Sequence, residues 1–451
     1  MTSIRWFVLA MTLAPTLPLA AQTSLTIYND GRVLQRRVMP VAVPAGSSVH
    51  QLLLGQLDPG SLFALDSGVA ITGSRYDPAV DLEMALRRSV GRELSFETRG
   101  ANGAREMVTA TVLGVDPERY RLADGRVSFD RPGMPRFPAE LVPAQAAIAV
   151  AVRADKARTG LGVGYFSSGA AWGATYAVVL GRGVARVSGQ ATIAAGTLTA
   201  DSAEVQLLAG NVGAAPRSPI LMKSMTARSA APMAMDAAGE QAIGEVHLYT
   251  LPGRYDLVPG VATSAMLLEP ATAPFQRTFT VRGQLPYYGG LGQQGDEQTD
   301  PVAVTYVVKR ALKTPFGDVP VPGGVARIYE RDQAGRLQLV GESSLDHTAA
   351  GQDLRLDAGT AFDLTAKRIQ TDYETHREAP RTVATATYRV TLDNAKDTEV
   401  SVDVLEQRGG EWSVVQSSIP GEKVSSTLTR FRVSVPAKGR TVLTYRVRVV
   451  W

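Results

Sequence analysis

Short runs whose apolar residues fall at every second position, separated by turn residues, recur along most of this chain and constrain its fold more than any other feature. The C-terminal stretch is the clearest case: Leu443, Tyr445, Val447 and Val449 alternate with Thr444, Arg446 and Arg448. Phe431, Val433 and Val435 alternate with Arg432 and Ser434 in the same way. Successive side chains of a strand point to opposite faces, so each run buries one face and turns its arginines to solvent. Before these two come Val246 to Thr250, Arg277 to Val281, Val302 to Val308, Val325 to Tyr329, Leu337 to Val340, Ala384 to Leu392, Val400 to Leu405 and Trp412 to Val415. Turn signals about every 8–14 residues are the pattern of immunoglobulin-like β-sandwich modules.

Toward the N-terminus the signals are more mixed. Ser24 to Tyr28 alternates into Asn29-Asp30-Gly31, a hairpin turn, before Val33-Leu34 resumes. The period changes once. Asp77 as cap, Pro78 at the first helical position, one face of Leu82, Ala85, Leu86, Ser89 and Val90, and Gly91 as stop predict a helix over 78–90. Behind it Glu93 to Glu97, Val108 to Leu113, Arg119 to Leu122 and Val127 to Phe129 predict a small SH3-like barrel. Ile148 to Val152, Thr175 to Leu180, Ala185 to Ile193 and Ala203 to Leu208 form a central block. The expected class is therefore mainly β. An N-terminal β domain over 22–143 holds the helix and the barrel, a central β domain covers 144–213, and a β-sandwich region covers 241–451. Residues 214–240, rich in Pro, Ala, Ser and Met without periodicity, read as a linker.

The first 21 residues have a different character. Arg5 precedes an apolar run from Trp6 to Leu13, Pro15 and Pro18 would break a helix, and Ala20 and Ala21 stand before Gln22. A basic start, a short apolar run and small residues at the exit make a secretory signal peptide cleaved after Ala20 or Ala21. The expected location is accordingly periplasmic, cell-envelope associated or extracellular. No later stretch approaches the ~20 apolar residues of a membrane-spanning helix, so none is expected. Without Arg5 the chain carries 46 basic and 43 acidic residues, a net +3. Its arginines are scattered rather than gathered into a stripe, so nucleic-acid binding is not expected.

The residues that carry chemistry are few. With no cysteine, the chain has no disulfide, thiol nucleophile or Cys-bound zinc. It contains neither Gly-x-Ser-x-Gly nor Ser-x-x-Lys. Gly160-Leu161-Gly162-Val163-Gly164 reads as flexible turn glycine, because no helix follows it as a dinucleotide loop requires. His50, His247, His347 and His376 stand at no paired spacing, and no cofactor is expected. Met222, Met225, Met233 and Met235 have spacings that suit Cu(I), although a plain Ala/Met linker accounts for them too. One ligand loop is expected: Tyr287 and Tyr288 lead toward Asp296 and Asp300, aromatics beside carboxylates that would hold a sugar or a Ca²⁺ ion.

Several pieces taken together resemble a bacterial family of secreted proteins built on a domain of unknown function, whose C-terminal module also occurs in mucoidy-inhibitor-A-like proteins. These are Gly164-Tyr165 with Trp172-Gly173-Ala174-Thr175-Tyr176, Leu207-Leu208-Ala209-Gly210, Pro322 to Tyr329, Gly359 to Asp363 and Tyr445 to Trp451. Ala194-Ala195 departs from it, since the family more often has Asn before a Gly-containing turn. The resemblance implies an exported, mostly β protein and brings no established activity or catalytic set to carry over. The expected function is that of an exported cell-envelope structural or interaction protein without catalytic activity, binding an envelope protein or polysaccharide. Two alternatives are kept. One is a carbohydrate-active enzyme with a carboxylate pair the sequence does not mark. The other is an outer-membrane β-barrel, suggested by the alternation that ends at Trp451.

Overall fold

Asn29-Asp30-Gly31 closes the hairpin that its residues predict. In a computed structural model, which describes residues 23–99, 103–143, 145–212, 239–243, 246–283 and 291–451, Thr23–Tyr28 pairs antiparallel with Val33–Met39. Gly31 sits at φ +87°, a backbone conformation that glycine adopts without strain, and the Asp30 carboxylate accepts from the Arg32 N–H. The signal segment and Met222, Met225, Met233 and Met235 lie outside the described residues. Of the expected linker only Gly239 and Glu240 are described, and they open a strand, Gly239–Ile243.

The described chain is mainly β, and none of its sheets closes into a barrel. It divides into two compact units that interleave in sequence. One contains Met1–Ala171, Ala195–Gln206 and Gly253–Val261; the other contains Trp172–Ala194, Leu207–Pro252 and Ala262–Trp451.

In the first unit, strands Thr23–Tyr28, Val33–Met39, Leu161–Ser167 and Phe63–Ala64 lie side by side in that order. A second sheet places Ala147–Ala154 between Gly46–Leu52 and Val69–Asp77. Leu52, Ile148, Val150, Val152, Leu161, Val163 and Tyr165 pack together as the core. The glycine-rich run expected to be a turn is thus strand, and the reason is steric. A Cβ on Gly164 would run into the Phe63 ring, and one on Gly162 would lie 3.1 Å from the Asp66 carboxylate. Glycine is what lets the short Phe63–Ala64 strand come close. Gly164→Ala is expected to destabilise this unit by about 1–3 kcal/mol, the usual effect of overpacking, read as a lower urea midpoint.

The expected helix is shorter than 78–90: it spans Leu82–Arg88. Asp81 rather than Asp77 caps it, accepting from the Met84 N–H at 2.8 Å, while Asp77 pairs with Arg88. The strands expected to make a small barrel form one open five-stranded sheet, Met134–Arg136, Glu93–Arg99, Arg105–Val115, Glu118–Leu122 and Val127–Ser128. Leu86 of the helix joins Leu94, Phe96, Val112 and Tyr120 in its core.

The C-terminal part of the second unit includes β1 (Val261–Arg282), β2 (Gln298–Asp300), β3 (Val302–Val308), β4 (Leu354–Thr360), β5 (Leu364–Glu378), β6 (Arg381–Asn394), β7 (Val400–Gln407), β8 (Glu411–Ser417), β9 (Gly421–Ser425), β10 (Leu428–Val435) and β11 (Arg440–Val450), and between β3 and β4 the strands Gly324–Arg331 and Leu337–Leu345. One sheet runs in the order β2-β5-β6-β11-β8. In a second, ten-stranded sheet, β1-β7-β10-β9 forms one end. Residues Leu443, Tyr445 and Val447 of β11 are buried, with Val402, Val404, Phe431 and Val433 of the other sheet also in the core. Arg446 and Arg448 turn outward to Glu374 and Glu378. The alternation ending at Trp451 therefore belongs to a sandwich strand, and lipid is not what its apolar face meets. No helix among the described residues is long and apolar enough to cross a membrane.

Candidate functional site

Along β5 the alternation puts Leu364, Ala366, Arg368 and Gln370 on the inner face, so an arginine stands where the period calls for an apolar residue. Arg368 is 2% exposed. Its Nε donates to Asp300 Oδ2 at 3.0 Å, and its Nη1 donates to Glu406 Oε2 at 2.9 Å and to the Tyr445 hydroxyl. The Tyr445 O–H in turn donates to Glu406 Oε2 at 2.7 Å. Arg408 approaches Glu406 Oε1 to 2.8 Å, yet its N–H is not aimed along that line, so this contact is Coulombic rather than a hydrogen bond. Two cations thus balance two carboxylates inside the sandwich.

Aromatic rings and one glycine make room for these charges. Tyr445 stacks between Tyr388 and Phe431, with ring centroids 5.6 and 4.9 Å away. A Cβ at Gly283 would lie 2.7 Å from Arg368 Nη2, so the guanidinium rests over bare backbone. Burial works against the charge of Arg368, but the Tyr445 phenol and the carboxylates of Glu406 and Asp300 outweigh it and raise its pKa. Burial, with Glu406 beside it, also raises the Tyr445 pKa, so the phenol remains an O–H donor.

This cluster absorbs one residue of the expected ligand loop. Asp300 pairs with Ala366 across β2 and β5, which turns its side chain inward to Arg368, and it is 2% exposed. Asp296 is exposed, so the structure does not bring these two carboxylates to a common surface. Tyr287 and Tyr288 lie outside the described residues. Among the described residues the buried carboxylates are Asp300 and Glu406, and both face one guanidinium rather than a cleft. No group of three His, Asp or Glu among the described residues stands close enough to hold a metal ion.

Sequence reading missed what lies at the open side of the sandwich. β8 ends one sheet and β9 ends the other, and a groove of about 350 Å³ is lined by residues of these strands and by Thr429 of β10. Thr382 and Trp451 exchange backbone hydrogen bonds, and antiparallel alternation then fixes which residues of β11 face β6 and which face β8. Ser413 and Gln416, opposite Arg448 and Arg446, make the ladder to β11. The backbone N–H and C=O of Trp412 and Val414 consequently point away from β11, toward the groove. Ser418 donating to Thr444 O keeps the same phase.

Both strands are interrupted by a single bulge, between Val414 and Gln416 on β8 and between Lys423 and Ser425 on β9. The extra residue is an exposed valine in each case, Val415 at 52% and Val424 at 49%. Bulges twist an edge and shorten the run that another strand can pair with. The free edges are therefore short, Glu411 to Val414 on one side and Gly421 to Lys423 on the other.

The inner wall is aromatic and polar. Trp412 is buried, with its Nε1–H donating to Ser426 O at 3.0 Å. Ser417 lies opposite Tyr445, and Thr429 lies opposite Glu406, so the back of the groove adjoins the Arg368 cluster. No protein-family model and no curated protein matches the chain.

Proposed function

We propose that this is an exported cell-envelope protein that acts by binding, and that the groove between β8 and β9 receives an extended segment of a protein partner as an added strand. The observation that carries the reading is the meeting of two sheet ends, one from each layer, at one groove with unspent backbone groups of Trp412 and Val414 facing it. Such an edge recognises a peptide through main-chain hydrogen bonds, with pockets for alternate side chains. The bulges at Val415 and Val424 keep the paired run short, which favours a reversible partner over edge-to-edge aggregation. Export rests on the signal-like first 21 residues and on the resemblance described above.

Val414→Pro tests the groove directly. Proline removes one groove-facing N–H and leaves the ladder made by Ser413 and Gln416 in place. Peptides selected against the full chain from a random phage-displayed library are expected to bind the variant about tenfold more weakly, on the order of 1–1.5 kcal/mol for a lost hydrogen bond. The unfolding free energy should stay within about 0.5 kcal/mol of the parent. Equal peptide affinity for both proteins, or a library from which the parent protein selects nothing, would overturn the reading.

A further inference from the structure

One side chain brings a charge to the groove between β8 and β9. Lys423 lies opposite Thr429, and Thr429 shares the inward face of β10 with buried Phe431, Val433 and Val435. A cross-strand partner projects to the same face, so the Lys423 side chain leaves β9 on the groove side, while Glu422 turns outward to Arg430 at 2.6 Å. Lys423 is also the charged residue of the groove lining.

The surrounding cations are committed elsewhere. Arg430 and Arg432 pair with Asp403, Arg446 with Glu374, Arg448 with Glu378, and Arg408 with Glu406. Lys423 has no ion pair or hydrogen-bond partner for its ammonium among the described residues. An unpaired ammonium at the mouth of a strand-receiving groove complements a carboxylate on the incoming strand and repels a cation there.

We infer that the groove selects an acidic extended segment, one whose Asp or Glu side chain meets Lys423 while its backbone pairs with the sheet edge. This rests on the strand-binding reading and adds to it the chemistry of the partner. It also distinguishes a protein partner from a neutral glycan, which offers neither the main-chain pattern nor the charge.

The test compares peptides selected from the same random library by the parent, Lys423→Gln and Lys423→Glu. The parent is expected to enrich Asp and Glu roughly two- to fivefold, the range of an exposed ion pair, with the enrichment shrinking in high salt. Lys423→Gln should abolish the preference, and Lys423→Glu should turn it toward Lys and Arg. Because Lys423 is exposed, all three proteins should unfold alike, which separates lost preference from lost fold. The same charge composition from parent and Lys423→Glu would overturn the acidic assignment while peptide binding sensitive to Val414→Pro still upheld the groove. Selected peptides indifferent to Val414→Pro would instead remove the strand-binding reading itself.

Discussion

Arg368→Met is expected to destabilise the C-terminal sandwich by about 3–5 kcal/mol, the loss usual when one partner of a buried ion pair is removed. Methionine fills most of the volume of the aliphatic stem, so the effect comes chiefly from charge. Asp300 and Glu406 would be left in a core where they are 2% and 0% exposed, and Tyr445 would lose the donor on its oxygen. Only Arg408, 11% exposed at its side chain and poorly aligned with Glu406, would remain nearby. A double-layer control separates this cause from lost packing. Replacing the three groups together, Arg368→Met with Asp300→Leu and Glu406→Met, should recover well over half of the loss, because both buried carboxylates leave with their cation and only Arg408, 11% exposed at its side chain, loses its carboxylate. Urea unfolding of the three proteins checks both values. A triple variant as unstable as the single one would show that shape, not charge pairing, sets the role of Arg368.

Arg310→Met is expected to cost about 3–4 kcal/mol, and for a different reason. Arg310 is 3% exposed and, among the described residues, has no carboxylate on its guanidinium; instead it serves four backbone carbonyls. Nε and Nη2 donate to Phe316 O at 3.2 and 3.1 Å, Nη1 to Ala349 O and Gln352 O at 3.1 Å, and Nη2 also to Val319 O. Its ring partner is Phe316, 5.1 Å from the guanidinium carbon. Tyr176 and Tyr249 reach the same segment, donating to Pro322 O and Pro320 O. Burial lowers the Arg310 pKa, an effect the two phenols and Asp353 oppose. Methionine would take this donor from the four carbonyls, of which Ala349 O keeps the Gln352 N–H at 3.2 Å; each one left dry costs about 1–3 kcal/mol, and less where water enters. Arg310→Lys should regain less than half, since one ammonium cannot fork to carbonyls on both sides. Hydrogen exchange is the discriminating measurement. Protection should fall first over 311–323 and 346–353, and a uniform loss across the sandwich would contradict a local staple.

These two arginines also mark where reading the chain as a string stops. The composition counts 47 Lys and Arg, and nothing nearby in sequence distinguishes Arg310 or Arg368 from the many that face water. One signal was available for Arg368: Leu364, Ala366 and Gln370 at the same parity make it an inward position. Its partners carry no such signal, because Asp300 and Tyr445 are 68 and 77 residues away. The sequence for that reason places Asp300 in a ligand loop, whereas strand pairing turns its side chain into the core.

The glycines show the same limit from the other side. Gly162 and Gly164 look like turn residues because glycine is common in turns, yet they belong to Leu161–Ser167. What requires glycine there is the approach of Phe63 and Asp66, almost a hundred residues earlier. Helix capping had a local answer and was still missed by one turn. Asp77 and Asp81 both suit a cap, and Arg88 takes Asp77.

Local chemistry alone determined the mainly β character, the hairpin at Asn29-Asp30-Gly31 and strands such as Val302–Val308 and Val246–Thr250. Period-two alternation and turn residues act between neighbours in sequence, so they are legible there. The interleaved units, the inward charges of Arg368, Asp300 and Glu406, and the groove between β8 and β9 were decided only by tertiary structure. Each depends on which distant strand lies beside which, and on which strand of each sheet is left without a neighbour. No residue carries that information by itself. An edge stays open only because no further strand lies beside it.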